Sequence, residues 1–253
     1  MISLEDISIN YHTLKKQDKK YFKKILKPDI VLQSGISRLD KLLDGGFKAG
    51  EITLVNGDND ITSDIPSHLA VNTYRLFDKK TVFIDTGMKA NPYLISRYAK
   101  RMEMKQKEVL EKIYICRAFT VHQLSTIIHE KLESLIKRQK PHTFIVGDIA
   151  GLYIDSDVKK REGRFLIKNN LSKIKDLTLK YNLTTVFTNR YRKKILDGNY
   201  MLNDIYKKVD ETVEIEKRKN SVFIHLLNKN CKDLIFISPD RQLTLNDFGM
   251  VIN

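Results

Sequence analysis

The most constraining feature of the chain is a regular alternation of short apolar segments with stretches of helical periodicity. The apolar segments are rich in Val and Ile and lie at residues 51–55, 81–85, 113–116, 143–146 and 184–188. Helical patterns separate them at residues 66–77, 92–102, 121–138 and about 164–181. Strands that are apolar throughout and connected through helices are typical of a parallel sheet covered on both faces.

The pattern changes after residue 203. Residues 212–217, 221–227 and 234–238 are typical of consecutive strands joined by short polar connections. Strands joined by so few residues pair antiparallel. The sequence therefore predicts an α/β fold whose mainly parallel central sheet is flanked by helices and followed by a C-terminal antiparallel strand extension.

The N-terminal segment differs in composition from the rest of the chain. Residues 15–27 read KKQDKKYFKKILK, with seven lysines and one acid, and their apolar side chains form one stripe along a helix. Two interpretations stay open: a solvated helix that docks through this stripe, or a basic arm that binds DNA or a partner protein. We expect a basic helical segment at residues 1–30 and a single core domain at residues 31–253.

The charge balance favours some classes of function and excludes others. The chain has 45 Lys and Arg against 31 Asp and Glu, a net charge of +14. This excess predicts a polyanionic partner, nucleic acid before a membrane, because no amphipathic lipid anchor is visible. No apolar run approaches the roughly 18 residues of a membrane span, and the N-terminus lacks the pattern of a signal peptide. Two cysteines, Cys116 and Cys231, are too few for a disulfide framework or a four-ligand zinc site, which favours an intracellular reducing compartment.

Residues 34–57 read SGISRLDKLLDGGFKAGEITLVNG, which resembles the entry to the ATPase core of the RecA/RadA recombinase superfamily. Further segments match the family in the same order: TVFIDT at 81–86, VLEKIYICRA at 109–118, HTFIVGD at 142–148 and NLTTVFTN at 182–189. Together and in register, the five matches are specific for RadA-type recombinases and their paralogues. The resemblance implies a RecA-like ATPase core and a role in homologous recombination.

The phosphate-binding loop of that family is changed at the positions that carry its chemistry. A working loop needs G-x-x-x-x-G-K-[ST]. Its backbone N–H groups surround the phosphates, its Lys neutralises phosphate charge, and its Ser or Thr hydroxyl binds Mg²⁺. Here the first glycine is Gly57, and the second glycine and the Lys fall at about Thr62 and Ser63. The Mg²⁺-binding hydroxyl falls at about Asp64. We therefore expect no ATP binding in the family manner, and no cofactor.

The same segment is rich in acids. Asp58, Asp60 and Asp64 place up to three negative charges where a polyphosphate would lie, and like charges repel by roughly 4 kcal/mol per close pair at intermediate dielectric. Their spacing is roughly that of calcium ligands, but the glycine-anchored turn and terminal Glu of an EF-hand are absent. We expect a solvated, mobile loop and no metal site.

Further catalytic positions of the family are also altered. The resemblance places the Walker B acid at Gly147, with Asp148 one residue later, and a shift of one residue on a strand turns a side chain to the other face. It places the water-activating glutamate at Gly87 and the glutamine after Thr-Asn at Arg190. Phosphoryl transfer depends on positioning and charge stabilisation by such groups. The sequence therefore predicts a degenerate ATPase site and no enzymatic activity.

Two basic segments fall where, by resemblance, the superfamily lines its DNA channel. They lie at about residues 149–164 and 190–203, and cations interleaved with aromatic side chains suit single-stranded DNA. An interpretation as ordinary solvated loop residues stays open. The candidate DNA-binding residues are Lys159, Lys160, Arg161 and Arg164, with Tyr153 upstream, and Arg190, Tyr191, Arg192, Lys193 and Lys194.

The function predicted from the sequence is that of a non-catalytic recombinase paralogue. It would assist homologous recombination and DNA repair by binding single-stranded DNA, an active RadA-type recombinase or another paralogue, in the cytoplasm and associated with the nucleoid. Two alternatives remain: a KaiC-like platform for protein assembly that binds no DNA, and an NTPase with a rebuilt phosphate loop.

Overall fold

The computed structural model describes residues 31–154, 158–190, 200–218, 221–229 and 231–236, and the fold is given for these residues. The basic segment predicted at residues 1–30 lies outside them. The strands are β1 (Val31–Leu32), β2 (Phe47–Lys48), β3 (Ile52–Gly57), β4 (Thr81–Asp85), β5 (Ile113–Arg117), β6 (Thr143–Gly147), β7 (Thr184–Arg190), β8 (Glu211–Arg218), β9 (Ser221–Leu226) and β10 (Cys231–Phe236).

Helices separate most of these strands, as the periodicity predicts. They are α1 (Ser37–Leu42), α2 (Asn59–Phe77), α3 (Pro92–Arg101), α4 (Gln106–Glu111), α5 (Val121–Thr126), α6 (Leu132–Gln139), α7 (Lys160–Tyr181) and α8 (Tyr200–Tyr206). A π-helical turn at Ile127–Lys131 joins α5 to α6, and short 3₁₀ turns lie at Gly151–Ile154 and Leu227–Lys229. Within the described ranges, no helix combines the length and apolar character that crossing a bilayer requires.

One large sheet organises the structure, with the strand order β10-β9-β8-β3-β7-β6-β4-β5. The run from β8 to β5 is parallel, while β9 pairs antiparallel with both β8 and β10. The predicted α/β fold with a mainly parallel central sheet is confirmed. The antiparallel extension is confirmed as well, and its first strand, β8, also pairs in parallel with β3, which joins the extension to the central sheet. The connection from β7 to β8 contains α8 and is long enough for a parallel crossover.

The two faces of the sheet are covered by separate helical layers. Along β3, Leu54 packs into the layer that contains α7, and the next residue, Val55, packs into the opposite layer with α2 and α3. Neighbouring residues on a strand point to opposite faces, so burial on both faces requires apolar residues at successive positions. This is the physical origin of the unbroken apolar runs in the sequence.

Candidate functional site: a cleft at the carboxyl edge of the sheet

The carboxyl ends of β3, β4, β6 and β7 meet at one edge of the sheet because these strands run parallel. A cleft of about 1020 Å³ lies at this edge. Its lining includes five of the residues predicted for the degenerate nucleotide site: Asp60, Ser63, Asp64, Gly87 and Asp148. Gly57, Asp58 and Gly147 are not among the lining residues. The structure thus brings most of this predicted set together around one space.

A single residue connects β3 to α2. β3 ends at Gly57, α2 begins at Asn59, and Asp58 between them caps the helix. The Asp58 carboxylate accepts a hydrogen bond from the Ile61 N–H at 3.0 Å, and the Asp58 carbonyl accepts one from the Thr62 N–H at 3.0 Å. A carboxylate in this position satisfies an otherwise unpaired N–H group and complements the helix dipole. The prediction of a loop here is therefore wrong, since these residues form the first turns of a helix.

The acids of α2 lie in different surroundings. Asp60 is exposed, whereas the Asp64 carboxylate accepts a hydrogen bond from the Tyr98 hydroxyl at 2.9 Å. Burial raises the pKa of Asp64, an effect that the hydrogen bond from Tyr98 opposes. Ser63 donates its hydroxyl to the Asn59 carbonyl at 2.9 Å. Among the residues that the structure describes, no group of three His, Cys, Asp or Glu side chains is arranged to hold a metal ion.

Asp148 follows the end of β6 and turns back into the cleft. Its backbone is left-handed, with φ of 58°, and the residue is 6% exposed. Its carboxylate accepts a hydrogen bond from the Arg190 N–H at 3.3 Å, and its own N–H donates to the Thr188 hydroxyl at 3.1 Å. The residue after β6 therefore lies in the cleft lining and is held there by hydrogen bonds to β7.

Gly147, the position that the resemblance assigns to the Walker B acid, faces Lys89. A Cβ atom on Gly147 would lie 3.0 Å from the Lys89 Cβ and 3.0 Å from the Phe83 ring. Lys89 cannot easily move away, because its N–H donates to the buried Asp85 carboxylate at 2.7 Å. The same carboxylate lies 3.3 Å from Nε of Arg117. A side chain at Gly147 would need this turn to shift.

The cleft carries more positive than negative side chains. Lys89 and Arg190 both donate to the amide oxygen of Asn59, at 2.6 and 3.3 Å. The cations in the lining are Lys89, Arg97, Arg101, Arg190 and Lys217, and the carboxylates are Asp60, Asp64 and Asp148. The predicted acids Asp60 and Asp64 are therefore accompanied in the cleft by a larger number of cations, which neighbouring elements contribute from positions far from α2 in the sequence.

The predicted DNA-binding residues divide into several groups. Lys159, Lys160 and Arg161 are exposed at the start of α7, where the side chain of the N-cap residue, Lys159, makes no capping hydrogen bond. Arg164 is ion-paired to Asp204 of α8 at 2.9 Å, and Arg190 points into the cleft. Tyr191, Arg192, Lys193 and Lys194 lie outside the described residues.

The aromatic side chain beside these cations is not the one that the sequence suggests. Tyr153 is fully buried and accepts a hydrogen bond from Asn170 at 2.7 Å, so it is not exposed for stacking. Phe165 on α7 is instead 64% exposed. The sequence does contain a sign of this exposure. Phe165 does not fall on the helix face formed by the buried residues Ile167, Leu171 and Ile174.

The fold and the position of the cleft define a RecA-like core: a mainly parallel sheet between helical layers, with the cleft at its carboxyl edge. The family model described as Rad51 matches residues 27–214, which is most of the chain. The chain belongs to the Rad51 family.

Individual relatives agree with this assignment. The DNA repair protein RAD51 homolog 4 of Mus musculus is 26% identical over 172 residues, which cover 63% of this chain and 51% of the mouse protein. The DNA repair protein Rad51 homolog of Drosophila melanogaster is 26% identical over 185 residues, which cover 68% of this chain and 54% of the fly protein. The chain therefore spans about half the length of the curated relatives it matches.

Proposed function

We propose that this chain is a non-catalytic member of the Rad51 family that assists homologous recombination and DNA repair. In this proposal it binds single-stranded DNA and an active recombinase, in the cytoplasm and at the nucleoid, without hydrolysing ATP. Membership of the Rad51 family and likeness to proteins named for DNA repair support the general role. The finer statements rest on the cleft and on the start of α7.

The observation that carries the non-catalytic part is the Asp58 cap. Backbone N–H groups at the start of this helix are the donors that a phosphate would need. Here Asp58 itself accepts from the Ile61 N–H, and β3 passes into α2 without the intervening turns of a phosphate loop. A triphosphate would have to displace a covalently attached carboxylate and then lie beside Asp60 and Asp64. The residues at this edge therefore do not fit a nucleoside triphosphate whose phosphates bind the backbone N–H groups at the start of α2, as in the family pattern.

Other parts of the cleft support the same proposal. The Walker B position is Gly147, packed against Lys89, and Asp148 fills the space beside Gly87. Arg190, at the position of the family glutamine, contacts Asn59 at the start of α2. The groups that would position water and metal are thus replaced by contacts of the protein with itself.

Isothermal titration with ATP and Mg²⁺, followed by a phosphate-release assay, tests this part. We expect neither saturable heat nor turnover. Micromolar binding together with hydrolysis would contradict the proposal and favour the NTPase alternative. Titration of an active Rad51-family recombinase under the same conditions is the positive control.

The start of α7 supports DNA binding. Lys159, Lys160 and Arg161 surround the N-terminal end of the helix, where each cation costs about 0.3–1 kcal/mol against the helix dipole. Cations at the positive end of a helix dipole are unfavourable by themselves, and such local conflicts are expected at functional sites. Bound phosphate groups would remove this unfavourable energy by neutralising the cations. The exposed Phe165 adds a surface on which a base can stack.

Fluorescence anisotropy with a labelled single-stranded oligonucleotide, measured over a salt series, tests DNA binding. The double variant Lys160→Glu, Arg161→Glu should weaken binding and reduce the log–log salt slope, by about 0.7 for each phosphate group that the protein no longer neutralises. Arg75→Glu, Lys79→Glu is the matched control. Arg75 and Lys79 are exposed near the C-terminal end of α2, at the opposite edge of the sheet.

The alternative of a protein-assembly platform makes a different prediction. If the wild-type protein shows no salt-dependent DNA binding but forms a complex with a RadA-type recombinase in analytical ultracentrifugation, the DNA part of the proposal fails and the platform is favoured. If the α7 variant and its control weaken DNA binding equally, the assignment of the DNA surface to α7 is wrong.

A further inference from the structure

We propose that the cleft at the carboxyl edge binds an acidic polypeptide segment of a partner protein, with carboxylates next to apolar or aromatic side chains. The inference rests on the proposed function, because it assigns to a protein partner a space that a nucleotide would otherwise fill. Four features of the cleft carry it: its charge balance, its innermost cations, the arginines of α3 and its apolar rim.

The charge balance matches a peptide better than a polyphosphate. Among the described residues, five cations and three carboxylates line the cleft, a surplus of two positive charges. A nucleic acid or nucleotide brings a negative charge with every phosphate, and these would lie against Asp60, Asp64 and Asp148. A peptide can bring up to three carboxylates to the five cations, while its backbone N–H groups donate to the three acids.

The innermost cations converge on a neutral oxygen. Lys89 Nζ and Arg190 Nη1 both donate to Oδ1 of Asn59, so the two groups lie within about 6 Å of each other. Lys89 is only 5% exposed, and its backbone is fixed by Asp85. Hydrogen bonds between cations and a carboxylate are roughly twice as strong as those to a neutral acceptor. A carboxylate reaching Asn59 would therefore find two cations already in place.

Helix α3 provides the outer cations. Arg97 and Arg101 are four residues apart, so they lie on one face of the helix, and both are exposed toward the cleft. The Arg97 guanidinium lies 5.8 Å from the centre of the Tyr98 ring. A planar guanidinium can bind a carboxylate through two parallel hydrogen bonds, which suits acidic side chains near the mouth of the cleft.

Apolar side chains at the rim define the neighbouring residues of the ligand. Tyr93 is 86% exposed and Met88 is 76% exposed, and both line the cleft. Large apolar side chains with this exposure beside a charged cleft are typical of binding surfaces. A partner segment with Phe or Leu between acidic residues would cover them.

Fluorescence anisotropy with a labelled peptide, Ser-Asp-Phe-Glu-Asp-Leu-Ser, tests the inference on the complete chain. The control peptide carries Asn and Gln in place of the acids. We expect saturable binding of the acidic peptide only, and a decrease of about tenfold or more in affinity in the double variant Arg97→Glu, Arg101→Glu.

Each single variant, Arg97→Glu and Arg101→Glu, is compared with the matched control Lys100→Glu, which changes the net charge equally on the same helix but outside the cleft lining. An equal decrease in Lys100→Glu, or no decrease in the arginine variants, would overturn the inference, because binding would then follow net charge alone. Competition by ADP with Mg²⁺ would overturn both this inference and the non-catalytic function. Competition by a single-stranded oligonucleotide would overturn the inference by identifying the cleft as a nucleic-acid site. If the protein binds neither the peptide nor the nucleotide, this inference is overturned and the non-catalytic function is not.

Discussion

Gly87 and Asp148 occupy one space at the carboxyl edge of the sheet. A Cβ atom on Gly87 would lie 2.5 Å from the Asp148 Cβ and 2.8 Å from its Oδ2, closer than such atoms approach in real structures. The glutamate that the family pattern has at the position of Gly87 is thus incompatible with the observed position of Asp148. We therefore expect the two departures from the family pattern to depend on each other.

A double-mutant cycle checks this dependence. Gly87→Ala should destabilise the protein by about 1–3 kcal/mol through overpacking, because φ of Gly87 is not positive and steric contact is the main cost. In an Asp148→Gly background the same change should cost much less, since the opposing Cβ is gone. Urea unfolding of the four proteins measures the coupling energy. Additive effects would show that the two residues do not compete for space.

Removing the cap at Asp58 should weaken α2. Asp58→Ala leaves the Ile61 N–H without its acceptor and should lower the free energy of unfolding by about 1 kcal/mol. Asp58→Asn keeps an acceptor oxygen and should cost less. Asp60→Ala, on the exposed first turn, is the control and should change stability by only a few tenths of a kcal/mol. Urea unfolding measures all three, and equal effects of Asp58→Ala and Asp60→Ala would refute the capping role.

Stability should fall on mild acidification through His68. Burial lowers the pKa of His68 from 6.5 to about 4, helped by the charge of Arg75. Between these values the unfolded chain binds a proton that the folded chain does not, so stability is full above pH 6.5 and decreases as the pH falls toward about 4. The decrease in stability from this one group is on the order of 3 kcal/mol.

NMR titration of the histidine rings checks this prediction directly. The ring of His68 should keep its neutral chemical shift down to about pH 5. Protonation of His68 near its ordinary pKa in the folded protein would contradict the prediction. His142, whose pKa burial also lowers to about 4, should behave like His68.

Phe165→Ala should weaken binding of single-stranded DNA without a change in stability. A stacked base contributes about 1–3 kcal/mol, and Phe165 is too exposed to contribute much to the core. Leu76→Ala is the control, since Leu76 is 42% exposed on α2 and distant in sequence from the basic segments. Anisotropy gives the affinities and urea unfolding the stabilities. Unchanged DNA affinity in Phe165→Ala would remove this residue from the DNA surface.

The sheet could be predicted because its signal is local and repeated. Successive apolar residues such as Leu54 and Val55 are required wherever both faces of a strand are covered, and every such run in the parallel core appears as a strand. The start of α2 could not be predicted in the same way. Pro66 is typical of a first helical turn, but here it lies inside the helix because the burial of Ile61 and Ile65 extends the helix to the Asp58 cap.

The cleft could be predicted only in part. The resemblance places Gly87 and Asp148 at one site, and both line the cleft because the strand ends of a parallel sheet converge. The left-handed backbone of Asp148 is not visible in the sequence. The convergence of Lys89 and Arg190 on Asn59 is not visible either, because Lys89 lies 30 positions and Arg190 lies 131 positions from Asn59 in the sequence.

The Asp58 cap also determines how the protein responds to its surroundings. A helix start completed by a free ligand is stabilised in proportion to the logarithm of that ligand's concentration. Asp58 is part of the chain, so its carboxylate is present beside the Ile61 N–H at a fixed effective concentration. We therefore expect this end of α2 to respond neither to dilution nor to a change in the ratio of ATP to ADP.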